Sequence, residues 1–250
     1  MFVRSPSFAR LTSRSKMPPL PAMVAVPHRL RPLVVALVGA MLLTAIAAGP
    51  GVVTGDVAVT RAVQGLAVPG AEQVALFANA AGTTPIVVAL ALGLVTWLGA
   101  LGKHGAALFL LAATAVRVFN PVFKDAFDSP RPTPGLVRIT EYPSGLGFPS
   151  GHVMGVVLFY GALWCLAGEI GRPSVRRLAR GAALAMIAAT GFGRIYVGAH
   201  WPTDVVGGVL WGVVLLAALI WTGRRMKRYG PKRRRAAYGS VAVVRNSART

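Results

Sequence analysis

The sequence predicts an all-α, polytopic membrane protein with six transmembrane helices and a cluster of polar residues at the outward-facing helix ends. Three observations predict it. The 250 residues are 54% hydrophobic and 14% charged, with a mean hydropathy of +0.60, which is too apolar for a soluble domain. Six apolar runs recur along the chain, each close to the ~20 residues that cross a bilayer. The 27 basic residues outnumber 7 acidic ones for a net charge of +20, yet they fall between and beyond the apolar runs. That placement is a topology signal, and it predicts no nucleic-acid partner.

Residues 1–31 are rich in Pro, Ser, Arg and Lys and read as a disordered, basic cytoplasmic tail, with Met17 and Met23 as alternative starts. The membrane domain covers 32–222. Leu33 to Ala48 is the first span; Ala45-Ile46-Ala47 also fits a signal-peptide cleavage site, but the long segment before it favours a retained helix. Pro50 to Thr83 is apolar but broken by Gly and Pro, with Val59, Val63 and Leu66, then Val74 and Phe77, at helical spacings. Short interfacial helices are expected there. Pro85 to Gly102 and Ala106 to Phe123 are the second and third spans, and a third helix that ran on would carry Arg117, Asn120 and Lys124 on one face. Pro130, Pro132 and Pro134 stop it, and Thr133 to Phe148 reads as a loop.

His152 to Ile170, Gly181 to Tyr196 and Val205 to Thr222 complete the six spans. Arg176, Arg177 and Arg180 separate the fourth from the fifth, and Pro202 suits the first position of the last helix. Residues 223–250 form a second basic cytoplasmic tail, expected to be disordered and to lie against anionic lipid headgroups. His28 and His104 read as solvated flanks. The single Cys165 excludes an intrachain disulfide and every cysteine metal site.

With both tails inside, the inner segments hold 21 basic residues and the outer segments hold 6, which fixes the orientation by the positive-inside rule. Topology gives no reason for those 6. Arg117, Lys124, Arg131, His152, Arg194, His200 and Asp204 thus converge at the outer face. Ser150 before Gly151 can cap the fourth helix, whose first N–H groups then face outward as an anion site. Lys124, Arg131 and Arg194 add three cations, an arrangement suited to the spread charge of a phosphate. His200 and Asp204 are four apart, so the carboxylate can hold one ring nitrogen and leave the other free to attack. His152 remains to protonate a leaving group.

Three spaced motifs carry a resemblance: Lys124-x6-Arg131-Pro132, Pro149-Ser150-Gly151-His152 and Gly193-Arg194-x5-His200-x3-Asp204. Together they resemble the type 2 phosphatidic acid phosphatase family, whose membrane phosphatases share a site with vanadium-dependent haloperoxidases. The resemblance covers about residues 117–210. It implies that His200 becomes phosphorylated, Asp204 orients it, and His152 protonates the leaving alcohol or phosphate. It also implies that Lys124, Arg131, Ser150, Gly151 and Arg194 hold the phosphoryl oxygens and that no cofactor or metal takes part. Gly193 departs from the family, which usually has Ser there, and puts a local hydrogen bond in question.

Taken singly, each charged residue has a plainer reading: Arg131 as a loop charge, Arg194 as an interface anchor, Asp204 as an N-terminal helix charge. Their order and shared side argue against that. A transporter or channel lined by the basic cluster is the alternative class, but the charges sit at helix ends and none is mid-span. A haloperoxidase is a third, but those relatives are soluble. The expected function is a membrane lipid phosphatase with a phosphohistidine intermediate, its partner a lipid phosphate in the cell membrane. Polyprenyl diphosphates and glycerolipid phosphates such as phosphatidic acid or phosphatidylglycerol phosphate both fit, and the Gly-, Ala- and Arg-rich composition points to the former. No oligomeric state is specified.

Overall fold

The computed structural model describes residues 30–49, 51–119 and 129–229. Asn120, Lys124 and most of the two predicted tails lie outside the described residues. Every regular element among the described residues is a helix: α1 (Arg31–Ala47), α2 (Asp56–Gln64), α3 (Ala71–Ala81), α4 (Thr84–Ala100), α5 (His104–Ala115), α6 (Gly151–Leu166), α7 (Pro173–Tyr196) and α8 (Pro202–Tyr229). Short 3₁₀ turns extend α5 through Val116–Phe119 and α6 through Ala167–Glu169.

Each of the six apolar runs is helical, with α1, α4, α5, α6, α7 and α8 in order. By length and composition Gly151–Glu169 and Pro202–Arg225 can each cross a membrane alone, and α3 with α4 makes a pair bent by 64°. The helices differ from the sequence reading in three places. The third helix tightens into a 3₁₀ turn at Val116, and the end predicted at Phe123 lies outside the described residues. The fifth begins at Pro173, eight residues before Gly181, because a proline at the first position and good helix formers after it carry the helix through the arginines. Arg180 there lays its guanidinium 4.4 Å from the Trp164 ring centroid. The sixth continues to Tyr229, so Arg224 and Arg225 are helical, with Arg225 4.5 Å over Trp221.

Core and surface are arranged for an apolar solvent. On α2 and α3 the apolar residues Val59, Val74 and Phe77 are exposed, while the polar or small Asp56, Thr60, Ala75 and Ala78 are buried. Small residues let helix backbones approach where apolar bulk gains nothing by leaving lipid. These helices therefore do more than lie at an interface: α3 packs along α7, and α2 meets α7 and α8. Helix α6 is central, in contact with α4, α5, α7 and α8, and buries Val153, Met154, Val156, Leu158 and Phe159. Its N-terminus and that of α8 lie side by side, because the Ser150 N–H donates to the Asp204 carbonyl at 3.0 Å. That one backbone bond brings two of the three motifs together.

Candidate active site

The start of α8 organises the site. Pro202 opens the helix, and the Asp204 carboxylate reaches back to accept the Trp201 N–H at 3.0 Å, half of a capping box. Asp56 on α2 caps the same end, accepting the Thr203 N–H at 3.1 Å and its hydroxyl at 2.6 Å. Held this way, Asp204 Oδ2 lies 3.2 Å from His200 Nδ1, and both side chains are almost wholly buried. On the other edge of the ring, Arg131 Nη1 stands 3.4 Å from Nε2. A carboxylate only accepts and a guanidinium only donates, so this pairing favours the neutral tautomer with hydrogen on Nδ1 and a lone pair on Nε2.

Arg131 is itself tied to backbone. It donates to the carbonyls of Gly145 at 2.6 Å, Ala199 at 2.8 Å and Ser144 at 3.1 Å. It thereby clamps the loop over His200, and its Nη1 faces the ring edge that Asp204 leaves open.

Arg194 is fully buried near the end of α7. Its Nη1 donates to Asn79 Oδ1 at 2.6 Å and to Glu141 Oε1 at 2.7 Å, and the Asn79 amide closes the triangle on Glu141 Oε2 at 2.6 Å. Nε and Nη2 are buried with no partner among the described residues. Burial would raise the Glu141 carboxyl, but the hydrogen bond and charge of Arg194, with the Asn79 amide, outweigh it and hold that carboxyl below its usual range. Ser150 does not cap α6 with its side chain, contrary to the sequence reading; its hydroxyl is buried without a partner among the described residues.

Arg131, Gly151, His152, Arg194 and His200 border one cavity of about 690 Å³. From the polar end it runs between α4 and α5 past Val88, Ala91, Leu92 and Leu111. Of the eight predicted site residues, Arg131, Gly151, His152, Arg194 and His200 line this cavity, Ser150 and Asp204 adjoin them at the starts of α6 and α8, and Lys124 is outside the described residues. Among the described residues no three His, Cys, Asp or Glu side chains group as metal ligands.

The sequence motif model of the PAP2 superfamily matches residues 105–228. Over that stretch the chain belongs to the PAP2 superfamily. It is 38% identical over 85 residues, 33% of this chain, to a protein of Escherichia coli (strain K12) named as an undecaprenyl-diphosphatase, YbjG. That alignment spans 38% of the relative's length. The fold is similar to the crystal structure described as the first transmembrane PAP2 type phosphatidylglycerolphosphate phosphatase, from Bacillus subtilis. The TM-score is 0.69 at 22% identity, over 79% of this chain and 98% of the other. A PAP2 fold with these apolar helices makes the chain a multi-pass membrane protein.

Two residues at this candidate site escaped the sequence reading. Asn79 and Glu141 lie outside the three motifs, and their signal was faint: one amide in the apolar end of α3, and one acid in a loop whose other charge is basic. Gly193 accounts for the approach of Asn79. A Cβ there would lie 2.6 Å from the Ala75 carbonyl oxygen and 3.3 Å from the Asn79 nitrogen, so a side chain would push α3 away from α7. Glycine permits the approach that carries Asn79 to Arg194.

Proposed function

We propose that this chain is a membrane phosphatase that removes a phosphoryl group from a lipid phosphate or diphosphate through a phosphohistidine. The observation that carries the reading is a pair of buried donors without partners among the described residues, Arg194 Nε and Nη2, on the cavity that a histidine oriented by Asp204 also lines. In this reading Nε2 of His200 attacks phosphorus, and Asp204 stabilises the imidazolium that forms. Arg194, Arg131, Lys124, Ser150 and the N–H groups of Gly151 and His152 take the charge on the phosphoryl oxygens. His152, on the opposite motif, gives its proton to the departing oxygen and then takes one from the water that cleaves the phosphohistidine. The apolar arm between α4 and α5 accommodates part of the lipid chain. A polyprenyl diphosphate is the favoured substrate class, in keeping with the name of the Escherichia coli relative.

The deciding assay is release of inorganic phosphate from a panel of polyprenyl and glycerolipid phosphates. Turnover is expected to persist in EDTA, since cations and a helix end supply the charge, and to be blocked by vanadate, which mimics the transferring phosphoryl group. Loss in EDTA that Mg²⁺ restores, or indifference to vanadate, would overturn the mechanism.

The site is proposed to face outward with both tails inside, from the 21 to 6 partition of basic residues. A cysteine placed between Thr133 and Phe148 in a Cys165→Ala background should then react with an impermeant thiol reagent on intact cells. Labelling confined to lysed cells would reverse the orientation.

A further inference from the structure

Arg117 is a cation outside the three motifs. It lies in the 3₁₀ turn that ends α5 and lines the same cavity as His152, Arg194 and His200. Nη2 donates to Thr84 Oγ1 at 2.7 Å on α4, while Nη1 is buried with no partner among the described residues. The guanidinium lies flat on α6 at Gly155, where a Cβ would sit 3.0 Å from Cζ and 3.1 Å from Nη2. Gly155 is three residues past His152, about 4.5 Å further along the helix axis. Arg117 therefore stands below the proton donor, on the side of the cavity where Val88, Ala91, Leu92 and Leu111 form the apolar arm.

We propose that Arg117 binds the lipid-side phosphate of a diphosphate substrate and so makes the site selective for diphosphates over monophosphates. This rests on the phosphatase reading and deepens it. In the first step Nε2 of His200 bonds to the terminal phosphorus and the bridging P–O bond breaks. Its electron pair stays on the bridging oxygen, which departs as part of the lipid monophosphate. Water then cleaves the phosphohistidine to free phosphate. The group that departs is a phosphate monoester whose second pKa is about 6, so near neutral pH it needs a cation more than a proton. A lipid alkoxide has the opposite need. Arg117 lies where that extra charge develops, with Nη1 unpartnered among the described residues.

The test compares prenyl diphosphate and prenyl monophosphate of the same chain length in the full-length protein. Arg117→Gln should lower kcat/KM on the diphosphate by about 30-fold or more and on the monophosphate by less than about threefold, the split expected when a charged hydrogen bond to one group is lost. Inhibition by vanadate, which lacks the second phosphorus, should stay within about twofold, while inhibition by a methylene-bridged bisphosphonate should weaken about tenfold. Equal losses on both substrates would reduce Arg117 to a structural tie between α4 and α6 and overturn the assignment. Should the glutamine variant not accumulate, Arg117→Lys decides by the same ratio, because it keeps a charge but not the fork. Wild-type protein inactive on both substrates would sink the phosphatase reading itself.

Discussion

Arg194→Ala is expected to cost about 10³ in kcat/KM for every phosphorylated substrate, at the upper end of what one preorganised oxyanion donor supplies. Its guanidinium is fully buried and one nitrogen is already committed to Asn79 and Glu141, so Nε and Nη2 are held in place before any ligand arrives. Arg194→Lys should recover little, since one ammonium cannot replace two donors held at fixed angles. Glu141→Gln keeps the shape of the triangle and removes its charge; a loss of about tenfold is expected, because a buried cation then lacks its counter-ion. The pH dependence gives a separate signature. A carboxyl whose folded pKa is depressed contributes stability that is present above its unfolded value, about 4.3, and is lost as pH falls through the lower folded value. Thermal unfolding of detergent-solubilised wild type should show that acid step below pH 4.3. Glu141→Gln should lack it. An Arg194→Lys variant with full activity would mean that the buried fork does not touch the phosphoryl group.

Much of this site was legible because charge in an apolar chain is costly and therefore informative. Arg131, Arg194, His200 and Asp204 stand out in a sequence that is 14% charged, and their spacing relative to Pro202 already puts the His200 and Asp204 side chains in reach of each other. What the sequence hid depends on tertiary approach. Asn79 becomes a partner of Arg194 because α3 presses onto α7 at Gly193, and a glycine in an apolar run announces neither its neighbour nor the distance. The spacing of Arg117 suggested a stripe shared with Asn120 and Lys124, which lie outside the described residues, and nothing in that spacing announced that Arg117 lies across Gly155. The helices run past the predicted spans for a related reason: hydropathy bounds the fifth and sixth spans at arginines, yet Arg180 and Arg225 cover tryptophan faces and are helical.

The largest effect is expected at His200, and it separates the two histidines. In the proposed mechanism His200→Ala removes the atom that bonds to phosphorus, so turnover should fall to background for all substrates whatever their leaving group. His152→Ala should matter only as much as the leaving group needs a proton. A lipid alkoxide needs one badly, whereas p-nitrophenolate, the anion of a phenol with a pKa of ~7, hardly does. The His152→Ala protein should thus fail on a lipid monophosphate while still forming a trapped phosphoenzyme from p-nitrophenyl phosphate. Asp204→Asn should be milder than His200→Ala, because an amide oxygen at the Oδ2 position can still accept from the Trp201 N–H and from His200 Nδ1. It would forfeit the negative charge that stabilises the imidazolium, so its loss should appear in kcat more than in vanadate inhibition. Rapid quench with ³²P-labelled substrate reads the phosphoenzyme directly in each variant. If His200→Ala retains the labelled protein and His152→Ala loses it, nucleophile and acid have been assigned to the wrong rings.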